Sequence, residues 1–173
     1  MRRIENPLDC IADHHLAERE VCTFLDKLAG PDAKNVTPED LADIIEFLAV
    51  ELPLHLLDEE EDLFPRMQAR CQPDDEIDRA IERLFAEHAY SGHDTEAVLE
   101  ILRIMQELDG EIDDGAREVL SVYAGHARRH LIFENAVILP IARARLSKED
   151  LEAMHRNMIR RRKTGAMGRF WNA

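Results

Sequence analysis

Two segments of the chain pair a histidine with a glutamate four residues later: His55 and Glu59 in "HLLDEEEDLFP", His130 and Glu134 in "HLIFENAVILP". On a helix, residues four apart lie side by side on one face, so each pair can aim a ring nitrogen and a carboxylate oxygen at the same point. Neutral imidazole with ionised carboxylate is a donor set for iron, manganese or zinc and a poor one for calcium or copper(I). Two more histidines, His15 in "DHHLAERE" and His88 in "LFAEHAYSGHD", interrupt apolar residues at helical spacing. Four imidazoles and two carboxylates suit two metal ions bridged by the carboxylates, with positions left for water or a small ligand. A structural zinc site would be closed by four ligands, often cysteines, and this set is larger and more open.

Such residues need helices to hold them. Apolar residues recur at three- and four-residue steps, and no stretch keeps a period of two for long, which predicts an all-α chain. "AGPDAKNV" separates a first helix, about Pro7 to Ala29, from a second that opens at "TPED", where Thr37 caps and Pro38 takes the first turn. The second runs to about Arg70, a third from about Asp75 to Leu108, and a fourth from about Asp114 to Arg145. "SKED" then has the form of a cap for a short fifth helix, about Lys148 to Arg162. Long helices joined by short turns predict an antiparallel up-down-up-down four-helix bundle with a short C-terminal fifth helix. Residues 1–147 are expected to form the metal-binding bundle and residues 148–173 a basic helix and tail.

The inner seams decide what the bundle encloses. On the second helix the seam reads Leu41, Ile45, Leu48, Leu52, His55, Glu59, then Asp62 or Leu63; on the fourth it reads Ala116, Val119, Tyr123, His126, His130, Glu134, Val137, Ile141. With helix ends aligned to within a turn or two, a rise of about 1.5 Å per residue puts His15, His55, His88 and His130 in one layer. No lysine or arginine falls on the seams at that level. An ionised carboxylate buried alone costs several kcal/mol, and a bound cation is the simplest compensator. Leu52, Leu84 and Val137 are the expected dry shell around it.

Neighbouring residues admit more than one role. His126, one turn before His130, is read either as a fifth nitrogen ligand or as a core partner of Tyr123. His14 competes with His15 for the first-helix position, and Glu18 is expected to hydrogen-bond to a ligand. Asp58, Glu60, Glu61 and Asp62 read as a solvated acidic face, with Glu60 or Asp62 available to orient an imidazole. His93 and His155 read as surface residues, and Cys10, Cys22 and Cys71 as reduced core thiols.

Charge narrows the partners. The 173 residues are 45% apolar and 34% charged with a formal net charge of −14, which disfavours nucleic acid and anionic membranes. No apolar run is long enough to cross a bilayer, and the start lacks the apolar centre of a signal peptide, so a cytoplasmic protein is expected. Charge is uneven: from Arg143 onward there are nine Lys/Arg against three acids. The cluster Arg160, Arg161, Arg162 and Lys163 is expected to complement its own helix dipole, or to dock an acidic partner or a second copy of the chain.

The two H-x-x-x-E segments, each closing on Leu or Phe and Pro, with "DHHLAERE" and "LFAEHAYSGHD", resemble the hemerythrin-like proteins, specifically the HHE cation-binding domain, over about Pro7 to Leu146. The resemblance implies a di-iron site ligated by His15, His55, Glu59, His88, His130 and Glu134, with Glu59 and Glu134 bridging. Oxygen-carrying hemerythrins have H-x-x-x-H on the third helix and an aspartate five residues after the fourth-helix histidine. Here "HAYSGH" puts His93 five residues from His88, and "HLIFE" replaces the aspartate pattern. The implied function is a non-haem di-iron protein binding or reducing oxygen, nitric oxide or peroxide; the alternatives are an iron or oxygen sensor and a structural metal protein without turnover.

Overall fold

A computed structural model describes residues 6–30, 36–108 and 112–164. They form an all-helical protein of five helices, with no strand among the described residues. Helix α1 is Pro7–Ala29, capped by the Asn6 side chain, which accepts from the Leu8 amide. Helix α2 covers 38–70 and opens on a capping box: Thr37 accepts from the Asp40 amide while Asp40 accepts from that of Thr37. Helix α3 is Ile77–Leu108, α4 covers 114–145, and α5 is Lys148–Thr164. The third helix starts two residues later than its pattern predicts. Pro73–Asp75 forms a 3₁₀ turn, and Glu76 takes a left-handed conformation at φ 49° that closes it.

Proline sets the inner geometry of α2 and α4. A proline inside a helix has no N–H for the carbonyl four residues back, and its ring crowds that carbonyl. Three wide, π-helical turns result, each beginning six residues before a proline: Phe47–Glu51 before Pro53, Glu59–Leu63 before Pro65, and Glu134–Ile138 before Pro140. In each, the ladder bond spans five residues, as from the Phe64 amide to the Glu59 carbonyl and from the Leu139 amide to the Glu134 carbonyl. Two of the three begin on the glutamates of the H-x-x-x-E pairs. Wide turns of this kind cluster at functional sites.

The extra residue in the wide turn moves the seam by one position. Beyond Glu134 the buried residues of α4 are Ile138, Leu139 and Ala142, while Val137 and Ile141 are only half-buried. Val137 is therefore not the apolar cover expected of it; Leu52 and Leu84 are buried as expected. Replacing Pro140 with alanine should restore an α-helical bond at this turn and rotate Glu134 against its neighbours. The expected result is unchanged helix content by circular dichroism with metal affinity lowered at least tenfold in a chelator competition, the scale on which misoriented ligands weaken metal sites.

Two apolar cores flank the histidine layer. One joins Leu8, Ile11, Phe64, Met67, Ile81, Leu84 and Ile138 to Met154 and Met158 of α5. The other joins Leu25, Leu28, Leu48, Leu102 and Leu120. Each fully buried leucine or phenylalanine contributes about 1.5–3 kcal/mol, so the cores can carry the cost of the polar layer between them.

Candidate metal centre

Helices α1 to α4 each send one histidine into the layer, and α2 and α4 each add a glutamate. All four Nε2 atoms face the two carboxylates. His15 Nε2 lies 3.4 Å from Glu59 Oε1 and 3.3 Å from Glu134 Oε2. His55 Nε2 and His88 Nε2 are each 3.6 Å from Glu59 Oε2. His130 Nε2 is 3.3 Å from Glu134 Oε1 and 3.1 Å from His88 Nε2. The six residues form two overlapping groups, His15, His55, Glu59, Glu134 and Glu59, His88, His130, Glu134, whose donor atoms lie within 4.8 Å of one another. Glu59 and Glu134 belong to both.

These separations fit an ion better than they fit hydrogen bonds. Donors about 2.0–2.2 Å from one ion at tetrahedral or octahedral angles stand roughly 3–3.5 Å apart. Glu59 Oε2 and both Glu134 oxygens are buried with no hydrogen-bond partner. Glu59 and Glu134 are both fully buried, so an unsatisfied carboxylate there is costly.

The outward nitrogens are held as well. His88 Nδ1 is 2.8 Å from Glu60 Oε1, and His130 Nδ1 is 2.8 Å from Glu87 Oε2. Glu87 is steadied by Arg83 Nε, which donates to its Oε1 at 2.7 Å. His15 Nδ1 meets the amide oxygen of Asn135 at 3.2 Å, and Asn135 donates its Nδ2 to the Leu131 carbonyl. His55 stacks on His14, ring centroids 5.3 Å apart and planes 7° from parallel. The sequence reading offers Glu60 as a residue that could orient an imidazole but misses Glu87 and Asn135; all three sit one residue from a seam histidine or glutamate and reach across to another helix.

Burial and crowding shift the acid–base groups. Burial, then the charge of Glu134, pushes Glu59 well above the usual carboxylate range. Burial, reinforced by the other imidazoles, holds His55 well below the usual histidine value and lowers His88. Burial would also lower His130, but Glu134 and Glu87 outweigh it and raise His130 to about 10. Glu134 goes the other way: burial pushes it up, and the imidazoles of His130, His15 and His88 bring it below its ordinary value. Without metal, His130 thus keeps its proton at neutral pH.

Metal must displace that proton, since ligands bind deprotonated. Because His130 is raised, the penalty is present at neutral pH and shrinks as pH rises toward its value of about 10. Loading the metal-free protein at pH 7 is expected to release the His130 proton, read by an indicator dye, and apparent affinity should climb with pH rather than fall.

The other candidates separate cleanly. His126 is exposed and belongs to neither group, so the structure removes it from the ligands and from the core. His14 is buried but also lies outside both groups. Glu18 is buried and lines a cavity of about 500 Å³ with His55, His88, His130, Tyr123 and Leu52. His93 is exposed, whereas His155 is half-buried. Cys10 and Cys22 are buried and Cys71 is half-buried.

The acidic run is a solvated face only in part: Glu61 is exposed and Glu60 half-buried, but Asp58 and Asp62 are fully buried beneath α5. Arg161 pairs with Asp58, Glu61 and Asp62, Arg162 pairs with Asp58 at 2.7 Å, and Asn157 donates to Asp62. Arg161 and Arg162 of the basic cluster thus meet acidic groups within their own chain. Arg160 donates to Asn157.

The fold and this cluster define an all-helical protein whose core is lined by histidine and carboxylate donors for cations. Residues 6–142 match the Hemerythrin HHE cation binding domain, and the chain belongs to that family, whose domain binds metal cations, typically iron. Among curated proteins no match is found. No helix among the described residues is long and apolar enough to cross a membrane.

Proposed function

We propose that the protein is a non-haem di-iron protein of the cytoplasm that binds or reduces a small ligand, oxygen, nitric oxide or peroxide, at a carboxylate-bridged pair of ions. The observation that carries this reading is the pair of overlapping donor groups that share Glu59 and Glu134. In it α1 to α4 form an antiparallel up-down-up-down bundle. His15 and His55 would hold one position and His88 and His130 the other, with Glu59 and Glu134 shared between them. Manganese or zinc would be accepted by the same donors. When bound, the two ions would supply electrons and open coordination positions for the ligand.

The chain's own residues prepare the ligand's surroundings. The cavity lined by His55, His88 and His130 gives a small molecule a way to that side of the cluster. Leu52 and Leu56 line it and limit water. Burial, then the charge of Glu134, raises Glu18 to about 7, so its carboxyl can take up or give up a proton beside the cavity near neutral pH. Thr95 Oγ1 donates to the Ser91 carbonyl at 2.7 Å. Its single proton being spent, the Tyr123 hydroxyl, 3.1 Å away, must be the donor to Thr95.

Protein produced with iron should contain two iron ions and show near-ultraviolet charge-transfer absorption that changes on adding dithionite, oxygen or nitric oxide. A colourless protein holding two zinc ions and indifferent to those reagents would instead establish a structural metal site.

A further inference from the structure

We infer that the two metal positions are unequal: Glu60 and Glu87 make the position between His88 and His130 the tighter one, filled first. The inference rests on the two-metal reading above. Both imidazoles of that position present Nδ1 to a carboxylate, His88 to Glu60 and His130 to Glu87, each at 2.8 Å. A carboxylate accepting the outer N–H makes the ring a stronger base and a better donor at Nε2, and it fixes the tautomer that leaves Nε2 free. The other position lacks this device. His15 faces the neutral amide of Asn135 at the longer distance of 3.2 Å, and the Asn135 Nδ2–Leu131 bond fixes which end of the amide it meets. His55 is held by ring packing, parallel to His14 and edge-on to His15.

Charge acts in the same direction as ring basicity. Glu60 and Glu87 each place a negative charge one imidazole away from the same ion. The arginines near the other position, Arg161 and Arg162, are engaged with Asp58, Glu61 and Asp62 and add no matching anion. The cavity also touches both rings of the favoured position and only His55 of the other. A second cavity opens on the other position, lined by His15 and Asn135. Glu60 and Glu87 are positioning residues: they act through the imidazoles and touch no metal.

The test is a titration of the metal-free full chain with cobalt(II) under anaerobic conditions, followed by its visible bands. Two ions should bind in two steps. Glu60→Gln and Glu87→Gln keep an acceptor oxygen but remove the charge; each should weaken the first step about 10- to 100-fold and spare the second. Asn135→Asp supplies the missing anion to His15, so it should strengthen the second step and narrow the gap. His55→Ala should leave the tight step in place and His88→Ala should remove it. Two ions whose steps ignore all three charge substitutions would overturn the inference and leave the two-metal reading standing. Fewer than two ions in the unmodified protein would overturn that reading and the inference with it.

Discussion

Glu134→Gln is expected to leave a folded protein that no longer assembles a two-metal centre. Glu134 is fully buried, reaches His15 through one oxygen and His130 through the other, and belongs to both donor groups. An amide retains one weak oxygen donor and no charge, so both positions lose a ligand at once. The loss of affinity should exceed the roughly 10- to 100-fold typical of removing an outer partner of a ligand. Without metal the carboxylate still matters: the imidazoles of His130, His15 and His88 hold Glu134 below its ordinary value, and Glu134 in turn helps raise His130 to about 10. Removing its charge takes a partner from the protonated His130, so the metal-free variant should melt below the metal-free parent. Metal stabilises the parent by binding only the folded state, about 2.7 kcal/mol when free metal is a hundred times Kd. Thermal melts with and without iron(II) or zinc(II) should therefore show a large shift in the parent and little in the variant. His55→Ala, which touches one donor group only, should keep part of the shift. Equal shifts in all three proteins would remove Glu134 and His55 from the ligand set.

Much of this centre was legible because helical spacing is a strict ruler. Histidine and glutamate four apart, repeated on two helices, gave four of the six residues that the fold gathers, His15 and His88 interrupting the other two seams gave the rest, and the caps at Thr37 and Ser147 gave the starts of α2 and α5. The ruler slips where the ladder changes pitch. Beyond Glu134 one added residue per turn turns Val137 outward and Ile138 inward, and the cue was Pro140, six residues on. Counting from such a proline would have set the seam correctly. A seam also says nothing about what a neighbouring helix brings to its flank. Glu87 reaches His130 from α3, and Arg161 and Arg162 reach Asp58 from α5, over separations of 43, 103 and 104 positions along the chain that no local pattern encodes. Five acids in a row look like a hydrated surface until the cations that cover two of them are placed.

That covering helix sets the second large effect. Arg162→Met is expected to destabilise the metal-free protein by about 3–5 kcal/mol, the usual cost of taking one partner from a buried ion pair. Arg162 and Asp58 are both buried, at 3% and 0% exposure, so neither charge can return to water while α5 stays docked. Arg161 would still reach Asp58, but it already serves Glu61 and Asp62 and is the more exposed of the two. Replacing both partners, Asp58→Leu with Arg162→Met, should recover most of the loss, because the penalty lies in the orphaned charge rather than in the missing attraction. Urea unfolding of the two single variants and the double variant gives the coupling directly. The effect should reach the metal layer. Asp58 follows His55 by three residues and precedes Glu59 by one, at the mouth of the wide turn that Pro65 imposes. A charge left alone there can be satisfied only by moving that turn toward solvent, which takes Glu59 with it. The single variant should therefore lose metal to a chelator faster than the double variant does, even at temperatures where both remain folded.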